Sequence, residues 1–190
     1  MIPPFNASGV LPPYVGGSPA DPHGRSPYTT TMREIAERMC TSPERVTLLR
    51  GLIGLRQALR ALGIPAGLQW INGSFCEDIE RIHGRAPGDI DLVTFFVRPP
   101  AHRADVAWRA FVTANIAIFD KNATKRTYGC ESFYVDAGIT PGSVIRQTAY
   151  WYGLFTHQRA THLWKGILEV PLIVDDSDAL AFINGLRFGP

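Results

Sequence analysis

The stretch Pro87-Gly-Asp-Ile-Asp-Leu-Val-Thr-Phe-Phe-Val-Arg-Pro-Pro100 constrains this chain more than any other. Ile90 to Val97 is β-branched and aromatic and ends before Pro99-Pro100, so it reads as a strand. Ile90, Leu92 and Val93 are core residues, yet Asp89 and Asp91 stand among them. Side chains alternate faces along a strand, so the two acids point to the same side, about 7 Å apart, twice the rise per residue. An acid pair at the start of such a strand, with no basic residue beside it, is costly unless something positive binds there. At this spacing the carboxylates can bracket a pair of hard cations, Mg2+ or Mn2+.

A second element precedes the first. Leu68 to Ile71 reads as a strand, and Ser74 to about His83 as a short helix, with Gly73-Ser74 between them. Glycine lets a backbone approach a phosphate closely. A helix N-terminus offers free N–H groups and the positive end of its dipole, and the Ser74 hydroxyl adds a donor. The strand–Gly-Ser–helix element can therefore hold a triphosphate, while the Asp-x-Asp strand holds the cations that bridge it. Two such cations activate an attacking oxygen and stabilise departing pyrophosphate.

The rest of the chain supports a single α/β (α+β) domain, a mixed sheet with helices packed against it, over residues 31–190. Residues 1–30 form a Pro-rich extended arm. Seven of the 15 prolines fall before Tyr28, which excludes helix there. Ile2, Phe5, Val10, Leu11 and Tyr14 lay part of the arm on the domain, and 16–26 is a surface loop. Helices are predicted over 31–39 and 43–62. The second is capped by Ser42, begun by Pro43 and ended at Gly63. Its arginines (45, 50, 56 and 60) are read as a solvated face. Helices over 103–114, with Val106, Ala110 and Phe111 inward, 143–158 and 178–186, and strands over 115–120, 128–135 and 167–174, complete the expected set.

With 45% hydrophobic and 19% charged residues over 190 positions, the chain has the composition of a globular domain. A net charge of +2 is too small to argue for nucleic acid. No apolar run is long enough for a membrane span. The N-terminus lacks the charged and apolar regions of a secretory signal. Cys40, Cys76 and Cys130 are far apart, in no metal-ligand spacing, and read as reduced thiols of a cytoplasmic protein.

Gly-Ser, then Asp-x-Asp on the next strand, then a third acid on a later strand resembles the polymerase-β nucleotidyltransferase superfamily. More narrowly, Ile2-Pro-Pro-Phe5, Gly9-Val-Leu-Pro-Pro13, Gln69-Trp-Ile-Asn-Gly-Ser-Phe75, Pro87-Gly-Asp-Ile-Asp-Leu92, Tyr150-Trp-Tyr-Gly-Leu-Phe155 and Trp164-Lys-Gly-Ile167 look like a family of small bacterial nucleotidyltransferase-like proteins. The resemblance spans almost the whole chain. It implies a polymerase-β-type fold and transfer of a nucleoside monophosphate from an NTP, ATP favoured, to a hydroxyl of a protein or small molecule. Small chains of this superfamily also act in toxin–antitoxin and phage-defence settings. Asp89, Asp91 and Glu131 are then the catalytic and metal-binding acids, with Asp136 the rival for the third place. Gly73, Ser74 and Lys165 are the nucleotide-binding residues.

Two departures stand out. The spacer between Ser74 and Asp89 is 14 residues long, and Phe75-Cys-Glu-Asp78 stands where the superfamily often has a basic residue. They support an alternative, a catalytically silent module that binds a partner. Lys121, Lys125 and Arg126 are read as a solvated loop before the third acidic strand. His157 and His162, five apart, are not ligands on one helical face. The aromatic run 150–155 reads as core.

Overall fold

A computed structural model describes residues 1–64, 66–174 and 176–188. Five strands form one mixed sheet: β1 (Tyr28–Thr29), β2 (Gly67–Asn72), β3 (Ile90–Phe96), β4 (Cys130–Asp136) and β5 (Leu168–Pro171), in the order β1-β5-β2-β3-β4. β2 runs antiparallel to both β3 and β5, whereas β3–β4 and β1–β5 are parallel. Among the described residues there are eight α-helices: α1 (Met32–Met39), α2 (Pro43–Ala61), α3 (Ile79–His83), α4 (Asp105–Ala114), α5 (Ile116–Phe119), α6 (Lys121–Tyr128), α7 (Pro141–Phe155) and α8 (Ser177–Gly185). None is long and apolar enough to cross a membrane.

The alternation of strand residues sorts the core into two layers. Ile71, Ile90, Leu92, Leu168 and Val170 face α1, α2 and α8 in the larger layer. Trp70, Val93, Phe95 and Val135 face the opposite way, onto Trp151 and Phe155 of α7. Helix boundaries follow their caps. The Thr31 hydroxyl accepts from the Glu34 N–H, and the Ser42 hydroxyl from the Arg45 N–H.

The arm is part of this core. Ile2, Val10 and Leu11 are buried, and Val10 forms a bridge with Glu77. The Asp78 N–H donates to the Gly9 carbonyl and the Gly166 N–H to the Leu11 carbonyl. This explains why the expected helix over 74–83 is broken. Ser74–Cys76 forms one 3-10 turn, Glu77 is extended against the arm, and α3 starts only at Ile79.

Three other expectations are corrected. Residues 115–120 are not a strand: α5 occupies 116–119, because Phe119 packs on Trp108, Phe111 and Tyr134. Val106 of α4 is exposed, and Trp108 is the residue that packs on the core. The α2 arginines are not all solvated, since Arg45 and Arg56 are among the largest fully buried side chains. Arg56 donates to both oxygens of Asp176, to the Gln69 side chain and to the Pro171 carbonyl. Four of its five N–H donors are used, which makes a buried guanidinium tolerable.

Candidate metal centre

Sheet register brings the acids together. In the antiparallel β2–β3 ladder Asn72 stands opposite Asp91, and in the parallel β3–β4 ladder Asp91 stands opposite Glu131. Paired residues share a face, so Asn72, Asp91 and Glu131 form a row at one end of the sheet on the α7 side. Asp89 precedes Asp91 by two and joins them. Carboxylate oxygens of Asp89, Asp91 and Glu131 lie within 4.8 Å of one another. The rival acid Asp136 stands opposite Phe96 at the far end of β4. There it pairs with Arg98 at 2.6 Å and accepts from the Gly138 N–H. The third carboxylate is therefore Glu131.

Gly73 makes room for this row. Its φ of +81° lies in the left-handed region, and a Cβ there would come within 2.4 Å of Asp91 Oδ2. The turn that follows is clamped from behind by Arg45. That side chain donates to the Phe75 carbonyl at 2.8 Å, to the Glu77 carbonyl and to the Glu80 carboxylate. Ser74 opens the 3-10 turn beside Asp91, without the longer helix that sequence suggested.

Lys165 is buried rather than open to the site. Its ammonium is ion-paired with Glu77, whose other oxygen accepts from Gln158 at 3.0 Å. Two distant family-like segments thus meet the Gly-Ser turn: the arm through Val10, and Trp164-Lys165-Gly166 through Glu77.

The electrostatics are lopsided. Burial, then the charges of Asp89 and Glu131, push Asp91 up to about 6, against the opposing pull of Arg159 and Lys165. Lys125 Nζ lies 2.5 Å from Asp89 Oδ2 and 3.5 Å from Glu131 Oε2. Lys121 Nζ lies 3.4 Å from Glu131 Oε1. Both lysines were expected in a solvated loop. They stand instead four apart on α6, on one face, with Asp120 as its N-cap and Gly129 as its left-handed C-cap. Asp before the segment and Gly after it are helix signals that put these lysines on a helix and not in a loop.

The row also contains Asn72, whose side-chain oxygen is buried and has no hydrogen-bond partner among the described residues. Asn72 lies inside the Gly-Ser stretch but drew no role from sequence, since a lone Asn in a strand carries no signal. An unpaired buried acceptor is costly, and here it stands opposite Asp91. The donor set is all oxygen, which suits a hard divalent cation.

Residues 3–171 match the model of a family of unknown function, DUF6932. The chain belongs to this family. No curated protein and no solved structure matches it. The family segment takes in the whole centre, from the arm that braces the turn to the Lys165 strap and β5.

Proposed function

We propose that this chain is a metal-dependent nucleotidyltransferase of polymerase-β type, which transfers a nucleoside monophosphate from an NTP, with ATP favoured, to a hydroxyl. The acceptor belongs to a protein or a small molecule, in a toxin–antitoxin or phage-defence setting. The observation that carries this reading is the convergence of Asp89, Asp91 and Glu131 within 4.8 Å beside the Gly73-Ser74 turn. Three hard carboxylates and a neighbouring unpaired Asn72 oxygen suit Mg2+ or Mn2+. Cations bound there would supply charge stabilisation to the transferring phosphoryl group. Three buried free cysteines support a reducing compartment, the cytoplasm.

In this reading Asp89 and Asp91 hold the cations, and the Gly73-Ser74 backbone receives the triphosphate. Lys165 steadies that turn through Glu77. The acceptor oxygen bonds to the α-phosphorus, the bond from that phosphorus to the bridging oxygen breaks, and pyrophosphate leaves with the electron pair. Glu131, on the edge strand where an acceptor has access, takes the hydroxyl proton.

A second reading rests on Lys121 and Lys125. Their ammonium groups already neutralise much of the acidic cluster, as suits a silent binding module. Incubation with α-labelled NTPs, Mg2+ or Mn2+ and a cell lysate separates the two. Label transfer that is lost in Asp89→Ala/Asp91→Ala supports the enzyme. Metal-dependent NTP binding without transfer supports the module, and neither binding nor transfer overturns both.

A further inference from the structure

No basic side chain directly follows the Gly-Ser turn, and Arg159 and Lys165, which act on Asp91 by charge, form no ion pair with the carboxylate row among the described residues. Phe75-Cys-Glu-Asp78 follows the turn, a single 3-10 turn stands in place of a longer helix with its dipole, and Lys165 is paired with Glu77. A triphosphate carries several negative charges, so a site for it needs positive side chains. Those nearest the carboxylates come from α6.

Resting on the nucleotidyltransferase reading, we infer that Lys121 and Lys125 are the polyphosphate-binding residues of this site, held on the carboxylates until cations take their place. Three observations build this device. The two lysines are one helical turn apart, and both amines reach Glu131. Their side chains are about half exposed, at 50% and 48%, so neither is locked into the fold. The helix that carries them is fixed at both ends. The Asp120 carboxylate accepts from the Ala123 N–H at 2.8 Å, and Gly129 turns directly into β4 at φ +64°.

The exchange follows from charge. Without divalent cations, three carboxylates attract two ammonium groups. Once dications occupy the carboxylates, the ammonium groups meet like charge and swing away, and an arriving polyphosphate offers them new partners. Lysine suits this role because its point charge rides on a flexible stem and needs no fixed fork geometry. The same lysines therefore compete with a cation that arrives alone and cooperate with one that arrives with a polyphosphate.

The test uses the full chain, with inorganic triphosphate as the probe so that no base contact contributes. Calorimetry measures Mn2+ alone, then triphosphate in saturating Mg2+, for the wild type, Lys121→Gln/Lys125→Gln and Lys125→Arg. Loss of two charge-assisted contacts is expected to weaken triphosphate binding by about tenfold or more in the double variant. Mn2+ alone should bind it at least as tightly as the wild type, and Lys125→Arg should keep most of the triphosphate affinity.

Triphosphate affinity within about twofold of the wild type, with Mn2+ binding intact, overturns the inference and leaves the enzyme reading standing. A parallel fall in Mn2+ affinity also overturns it, because the lysines would then shape the cation site itself. A wild-type chain that binds no Mn2+ overturns the enzyme reading, and this inference with it.

Discussion

Two charge clusters, one fully buried around Arg56 and one half-buried around Asp91, are built on opposite principles. Around Arg56 every charge is answered. Arg56 and Asp176 are both 0% exposed, Arg60 adds a second cation at 3.1 Å, and Gln69 and the Pro171 carbonyl take two more of the Arg56 donors. Around Asp91 three acids crowd together, and the cations that answer them are held loosely. Asp89 and Glu131 add to its burden and, among the described residues, the Asn72 oxygen has no partner and the only ammonium groups paired with the row are two half-exposed lysines. A balanced cluster of this kind holds a fold together. An unbalanced one costs stability that the rest of the fold must supply, and such sites are where function resides.

The comparison breaks most visibly at Arg56. Arg56→Met leaves the Asp176 carboxylate buried, and denaturant unfolding should show a loss of about 3–5 kcal/mol. Mn2+ binding at the other cluster should survive at temperatures where the variant is folded. Gly73→Ala comes next. Its Cβ would press on Asp91 Oδ2 at a positive φ, so about 1–3 kcal/mol of stability should be lost, together with Mn2+ affinity.

Asp91→Asn should move stability in the other direction. Burial raises this acid to about 6, above the ordinary carboxylate range. The penalty for ionising it is absent below about pH 3, grows as pH rises towards 6 and is constant above that. The Asn variant should therefore gain about 1–2 kcal/mol at pH 8, after allowance for solvent screening, and nothing below about pH 3. The smallest effect is on cation affinity. Protons compete with a cation for Asp91 below pH 6, so Mn2+ binding should weaken there by at most about tenfold per pH unit, and stay level above it.

What sequence reveals follows the same divide. The acidic strand was legible because two aspartates on a β-branched run leave few places to go. The Gly-Ser turn was legible because glycine there answers a steric need. Ser42-Pro43 and Gly63 marked the ends of α2. The arginine clamps were not legible. Arg45 and Arg56 lie on the same helix as the exposed Arg50, and the partners that hold them, Glu80 and Asp176, are 35 and 120 residues away. The choice of Glu131 over Asp136 needed the β3–β4 register, which pairing fixes and local pattern does not. Lys121 and Lys125 are solvated as the pattern predicts but lie on a helix and not in a loop, and a cluster of basic residues says nothing of where a helix will aim it. Ile116-Ala-Ile suggested a strand, but local alternation gave way to Phe119 packing on its aromatic neighbours.

The central claim is that the end of the sheet is a seat for divalent cations. Crystals of the chain soaked in Mn2+, with data collected at the manganese absorption edge, test it directly. An anomalous peak bounded by Asp89, Asp91 and Glu131, with Lys125 displaced from Asp89, is the predicted result. A well-ordered Lys125 still bridging Asp89 and Glu131, with manganese bound elsewhere or nowhere, would contradict it.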